Sequence, residues 1–318
     1  MPMMSNAILM ALVPIFFVLL LGYAAGKLHV VDNLHVDALN ALVMDFALPA
    51  SLFAATASAS RREMIDQVPL FLVLGITMLL LYLAWYLAAR RLSKLSRSEA
   101  SLQALTIGFP NLAGVGLPIM TSVVGPTGAV PVAVALAAGS ILISPLTLIV
   151  AEMGVAKARG EEMAARQILT AVRRAITKPV VLAPALGIVF SLSDVSLGAV
   201  AHASLALIGS SAAGVALFLT GAILSAQSFR LDWKISAATV ASDIVRPLLA
   251  VAVILVLPIA QDTAKTAILL AAVPSGFFGI LFAVNYRLDS ARVGSMVIAS
   301  TAFSVPTLAT VIALLFPH

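Results

Sequence analysis

The residues of this chain that could do chemistry are few, and each stands where an apolar run should have excluded it. The stretch "TIGFPNLAGVGLPIM", residues 106–120, carries Pro110 and Asn111 inside a sequence otherwise fit for hydrocarbon. A later stretch, "AAVPSGFFGILFAVNY", sets Pro274, Ser275 and Gly276 in the same relation. Proline removes a backbone donor and clashes with the preceding turn, so a helix opens there. In lipid the freed carbonyls need partners, and such breaks survive only against protein or a watery cavity. The half-helix that restarts beyond the break presents N–H groups and the positive end of its dipole, which suits an anion. Asn111 and Ser275 would add side-chain donors beside that backbone. Gly114, Gly116, Gly276 and Gly279 would permit a close ligand or a close helix. The competing interpretation is plain kinks with small-residue packing.

Three ionisable groups also fall inside apolar runs: Asp45, Asp243 and Arg246. Each is costly in a membrane and is expected to face the interior or a cavity. "SDIVRP" places Asp243 and Arg246 three apart, on one helical face. They either pair with each other, or Arg246 offers its bidentate fork to a substrate carboxylate while Asp243 orients it. Asp45, in "LVMDFALPASLF", has no basic partner on its own span. A proton could neutralise it, so it is a candidate for coupling, for binding a cation, or for a structural hydrogen bond. Gln103 either lines a pathway or packs.

The elements that must hold these residues are membrane helices. The chain has 318 residues, of which 61% are hydrophobic and 10% charged. A soluble domain needs about 25% charged residues, so this one must expose apolar surface to lipid. At about 20 apolar residues per crossing, ten spans emerge, near 6–26, 37–56, 68–89, 101–121, 127–150, 175–191, 203–225, 235–257, 264–286 and 292–316. The first lacks a basic n-region and is not expected to be a cleaved signal. With the N-terminus outside, fifteen Lys and Arg fall in cytoplasmic loops and three (Arg61, Arg62, Lys265) outside. That bias sets both termini on the periplasmic side of a bacterial inner membrane. The chain has no cysteine and only four scattered histidines, so no metal site is expected.

Residues 151–174 form the one sizeable charged segment, an amphipathic cytoplasmic linker. It divides the chain into 1–150, holding spans one to five, and 175–318, holding spans six to ten. Pro14 and Gly22 match Pro179 and Gly187; Pro110 matches Pro274; Pro145 matches Pro306. The matches are collinear, with offsets of 165, 164 and 161 residues. Because five is odd, the second half enters from the opposite side, giving the inverted repeat of many secondary transporters.

On "ALVPIFFVLLLGYAAGK", "LNALVMDFALPASLF", "GFPNLAGVGLPIM" and "AAVPSGFFGILFAVNYRLD" the chain resembles the auxin efflux carrier family over essentially its whole length. Within that family it is most similar to the bacterial malonate transporter branch. The resemblance implies an all-α fold like that of sodium/proton antiporters and bile acid symporters. It implies two inverted five-helix repeats, crossed fourth and ninth helices, an elevator motion, and a homodimer through scaffold surfaces. It makes Pro110 and Pro274 the crossover prolines, with Asn111 and Ser275 beside them. It places Asp45 in the second helix, where plant members carry acidic support residues. The long central loop of those members is missing.

The expected function is secondary transport of a small organic anion, malonate or a related dicarboxylate. Substrate would meet Asn111, Gly114, Ser275, Gly276 and Arg246. A proton, or in its place sodium, would couple through Asp45 or Asp243. The alternatives are a passive uniporter or channel for monocarboxylates and a sodium-coupled carrier. Beyond substrate, coupling ion and membrane lipid, no nucleic-acid partner and no cofactor are expected. H-E-x-x-H, G-x-S-x-G and nucleotide motifs do not occur, which points away from an enzyme.

Overall fold

The computed structural model describes residues 2–158, 169–170, 173, 177–193, 197–285 and 291–316. Most of the linker expected at 151–174 lies outside these residues, as do Arg159, Arg166, Arg174, Arg287 and His318. Helix α1 is Pro2–Lys27. It is followed by α2 (Asp37–Ser58) and α3 (Arg61–Arg91). Next come α4 (Arg97–Gly108), α5 (Leu112–Val124) and α6 (Pro126–Gly154). Beyond the linker lie α7 (Pro179–Leu192), α8 (Ala199–Ala226) and α9 (Trp233–Val256). The series ends with α10 (Gln261–Ala272), α11 (Phe278–Asn285) and α12 (Ala291–Leu315).

Six of these, α2, α3, α6, α8, α9 and α12, are long and apolar enough to cross a membrane. The chain is an all-α, multi-pass membrane protein. The span expected at 101–121 is two helices, α4 and α5, parted at Phe109–Asn111, and the one expected at 264–286 is α10 and α11. The outer surface is apolar where lipid must lie: Phe17, Val200, Leu207 and Leu255 are each more than 60% exposed.

The helices sort into two groups. In the first, α1 lies along the second half of α8, while α7 lies along α2. Lipid tails are as apolar as leucine, so close small-residue packing has to hold such pairs together. Gly22 on α1 and Gly221 on α8 provide it. A Cβ on either would fall 2.0 Å from a backbone oxygen of the facing helix, Phe218 O or Leu19 O. In the second group α3 packs on α4, the end of α6 packs on α4, and α9 packs on α10 and α12. The first turn of α5 meets α8 between the two groups.

Four helices carry a wider, π-helical turn: Leu42–Ala47, Leu112–Gly116, Gly139–Ile143 and Ala241–Val245. Two residues past each turn stands a proline: Pro49, Pro118, Pro145 and Pro247. A proline inside a helix cannot bond the carbonyl four residues back and pushes on it. The expanded turn takes up that conflict. Two of the carbonyls so spared belong to Asp45 and Asp243.

Candidate functional site

The two helix breaks touch. Pro110 and Ser275 form an antiparallel bridge, the one extended pairing among the described residues. The Asn111 N–H donates to the Pro274 carbonyl at 2.8 Å, and the Gly276 N–H donates to the Phe109 carbonyl at 3.1 Å. Each break thus satisfies backbone groups that the other frees. Gly276 has no room for a side chain, since a Cβ would lie 2.5 Å from Phe109 O. Gly114 is held nearly as closely by Thr220 Oγ1 and by Asn111's own side chain, while Gly116 has ordinary space around it.

Asn111 caps α5, its Oδ1 accepting from the Gly114 N–H at 2.9 Å. Its Nδ2 is buried without a hydrogen-bond partner, as is Ser275 Oγ. A buried polar atom left unpaired is costly. Two of them lie at one crossover, each near the start of a half-helix.

Arg246 is fully buried. Its Nε donates to the Ala271 carbonyl at 2.8 Å, and its two terminal nitrogens donate to the Ile107 and Val273 carbonyls. These carbonyls belong to the last turns of α4 and α10, where a helix runs out of partners and its dipole is negative. One guanidinium therefore caps two helix C-termini at once. The fork expected to meet a substrate carboxylate is occupied by backbone. Nor does Arg246 form an ion pair within 4 Å with Asp243, since the pairs among the described residues are His35–Asp32 and Arg292–Asp232.

Asp243 is turned to hydroxyls. Its Oδ1 accepts from Ser300 Oγ at 2.6 Å and from Ser242 Oγ at 2.8 Å. Ser300 Oγ in turn accepts the Ser275 N–H at 2.8 Å. Asp243 Oδ2 is buried with no partner. A line of hydrogen bonds thus joins this carboxyl to the crossover backbone through Ser300.

Asp45 lies apart from this cluster. It sits in the π turn of α2 with an exposed side chain. The cation that interacts with it is Lys178, which caps the start of α7. Gln103 is buried within α4.

Two cavities lie where the two helix groups meet. One, of about 460 Å³, lies where α2 and α7 begin and includes Asn40, Lys178, Gln227 and Phe282. The other, of about 440 Å³, lies at the far end of α2 and includes Glu63, Thr127 and His202. Ser242, Ser300 and Thr220 were not visible as site residues in the sequence. Serine and threonine are ordinary in membrane helices, and nothing in their spacing sets these three apart.

Discontinuous membrane helices that meet at a polar interior point are typical of transporters. Residues 7–312 match the family described as "Membrane transport protein", and the chain belongs to that family. It is 28% identical over 295 residues to "Uncharacterized transporter YfdV" of Escherichia coli (strain K12), across 92% of each chain. The same figures hold for YfdV of Escherichia coli O157:H7 and of Shigella flexneri. The protein is a multi-pass membrane transport protein.

Proposed function

We propose that this protein is a proton-coupled carrier of small organic anions, with malonate or a related dicarboxylate as its substrate. The observation that carries this reading is the crossover. Two half-helices, α5 and α11, begin there, and the unpartnered Asn111 Nδ2 and Ser275 Oγ stand at their heads. A helix N-terminus favours negative charge, and a dicarboxylate has one charge for each. Substrate contacts fall to Asn111, Gly114, Ser275 and Gly276, with Pro110 and Pro274 holding the backbone open. Arg246 keeps its place in the site as the group behind it, neutralising the C-terminal ends that would otherwise repel an anion.

In this reading α4 with α5 and α10 with α11 each count as one span. Ten spans then form two inverted repeats, 1–150 and 175–318, joined by 151–174. The packing supports that symmetry. Gly22 of α1 is pressed against α8, and its counterpart Gly187 of α7 is pressed against α2, with a Cβ 2.0 Å from Thr56 Oγ1. The group α1, α2, α7 and α8 would be the fixed scaffold of an elevator and the face of a homodimer, and the remaining helices would move. The excess of Lys and Arg places both termini in the periplasm. Asp243 and Asp45 are the carboxyls available for coupling.

The test is uptake of labelled malonate into proteoliposomes under an imposed pH gradient. Accumulation above the outside concentration, abolished by a protonophore, is expected. Uptake that requires sodium and ignores a collapsed proton gradient would overturn the coupling, and equilibration without accumulation would make the protein a uniporter.

A further inference from the structure

The crossover uses up the charge of Arg246 and leaves that of Asp243 unmatched. The guanidinium is spent on the carbonyls of Ile107, Ala271 and Val273. Two helix C-termini carry about half a negative charge each, so together they match one cation. Asp243 stands one turn before Arg246 on α9 and is 2% exposed. Its neighbours are neutral: Ser242 on its own helix, and Ser300 on α12. Arg246 is the one charged group acting on it among the described residues, and it acts from beyond ion-pair distance. A buried carboxylate without a counter-ion is held at high cost, and a proton removes that cost.

We propose that Asp243 is the group that takes up and releases the coupled proton, and that Ser300 relays its charge state to the Ser275 backbone at the crossover. This rests on the proton coupling proposed above and names the group responsible, choosing Asp243 over Asp45. Asp45 is exposed and has Lys178 for company, so it is not an unmatched interior charge.

The geometry fixes where the proton goes. Oδ1 already accepts two hydroxyl protons, whereas Oδ2 has no partner. On uptake a hydronium ion gives its proton to Oδ2 and leaves as water; on release Oδ2 returns the proton to water on the other side. While the carboxyl is ionised, the Ser300 hydroxyl is bound to Oδ1 by a charge-assisted bond. Its lone pairs are then held toward the Ser275 N–H. Once the carboxyl is neutral, Oδ1 is a weaker acceptor, and Ser300 can turn to the unpartnered Ser275 Oγ. Hydrogen bonds in a chain strengthen one another, so the grip on Ser275 tracks the charge on Asp243. The substrate's contacts at Ser275 and Gly276 would then change with proton binding, which is what coupling requires.

The experiment is infrared difference spectroscopy of the purified full-length protein across a pH titration, for wild type, Asp243→Asn, Ser300→Ala and Asp45→Asn. The wild type should show one buried carboxyl C=O band that grows on acidification. Asp243→Asn should lose it, Asp45→Asn should keep it, and Ser300→Ala should keep it at a shifted frequency because Oδ1 has lost a donor. A band that persists in Asp243→Asn, or no band in wild type, overturns the proposal, as does an unshifted band in Ser300→Ala. In proteoliposomes Asp243→Asn should still exchange labelled malonate for malonate but should not accumulate it under a pH gradient. If wild type shows the band yet never moves malonate, the substrate reading fails while Asp243 stands as the proton site. Gradient-driven accumulation by Asp243→Asn overturns the proposal whatever the spectra show.

Discussion

At the scale of the residue, Arg246 and the pair Asn111 and Ser275 do different work, and their substitutions separate them. Arg246 is bound to three backbone carbonyls, and removing it leaves them buried and unpaired at two helix ends. A buried polar group left unpaired costs about 1–3 kcal/mol. Arg246→Ala should therefore lower the melting temperature of the purified protein sharply. Arg246→Lys should recover only part, because a lysine cannot reach three carbonyls in a planar fork. A variant that melts as wild type does would remove Arg246 from this role. Ser275→Ala deletes a hydroxyl that has no partner, so stability should hardly change, whereas Asn111→Ala removes an unpartnered Nδ2 together with the cap on α5 and should cost about 0.5–2 kcal/mol. Each should weaken anion binding by about 1.5–3 kcal/mol, the worth of a hydrogen bond to a charged group, or on the order of ten- to a hundredfold in Kd by isothermal titration. The sequence showed Pro110, Asn111, Pro274 and Ser275 because polar residues and helix breakers are conspicuous in an apolar run. It could not show what Arg246 holds, because its partners are backbone carbonyls and every residue has one. Ser300 was hidden for the related reason that a serine in a membrane helix usually bonds its own helix.

At the scale of the element, the prolines place side chains as well as open helices. The π turn at Ala241–Val245 is coupled to Pro247, which cannot donate to the carbonyl of Asp243. Pro247→Ala restores that donor and should let the turn tighten to an ordinary α-helix. Asp243 would then rotate away from Ser300, and the carboxyl band expected for this residue should shift as it does in Ser300→Ala. An unchanged band would mean that the π turn does not set the position of Asp243. The start of α4 is anchored separately. Ser96 accepts from the Glu99 N–H at 3.2 Å, and Glu99 accepts from the Ser96 N–H at 3.0 Å, a complete capping box. Ser96→Ala should cost about 0.5–2 kcal/mol in thermal unfolding without moving the crossover. The π turns were not legible in the sequence, since a proline within a span announces a disturbance but not whether the helix breaks, bends or widens. Pro110 and Pro274 break their helices outright, whereas Pro14, Pro184 and Pro306 lie within continuous ones.

At the scale of the whole molecule, the fold presents two helix groups that meet near one crossover, with two cavities between them. The membrane class and the approximate limits of the helices were legible because apolar length alone determines them. Which helices group together was not, because α1 with α8 and α2 with α7 are distant in sequence and are joined by backbone contacts at glycines. The central claim is that the crossover binds an organic anion. A ligand that binds only the folded state stabilises it by about 2.7 kcal/mol at a hundred times its Kd. The most direct measurement is therefore the melting temperature of wild type and of the Asn111→Ala/Ser275→Ala double variant across a panel of mono- and dicarboxylates. The account predicts that malonate or a near neighbour raises the melting temperature of wild type, and that the double variant, which melts lower for want of the α5 cap, loses that rise. An equal rise in the double variant, or no rise with any carboxylate in wild type, would contradict it.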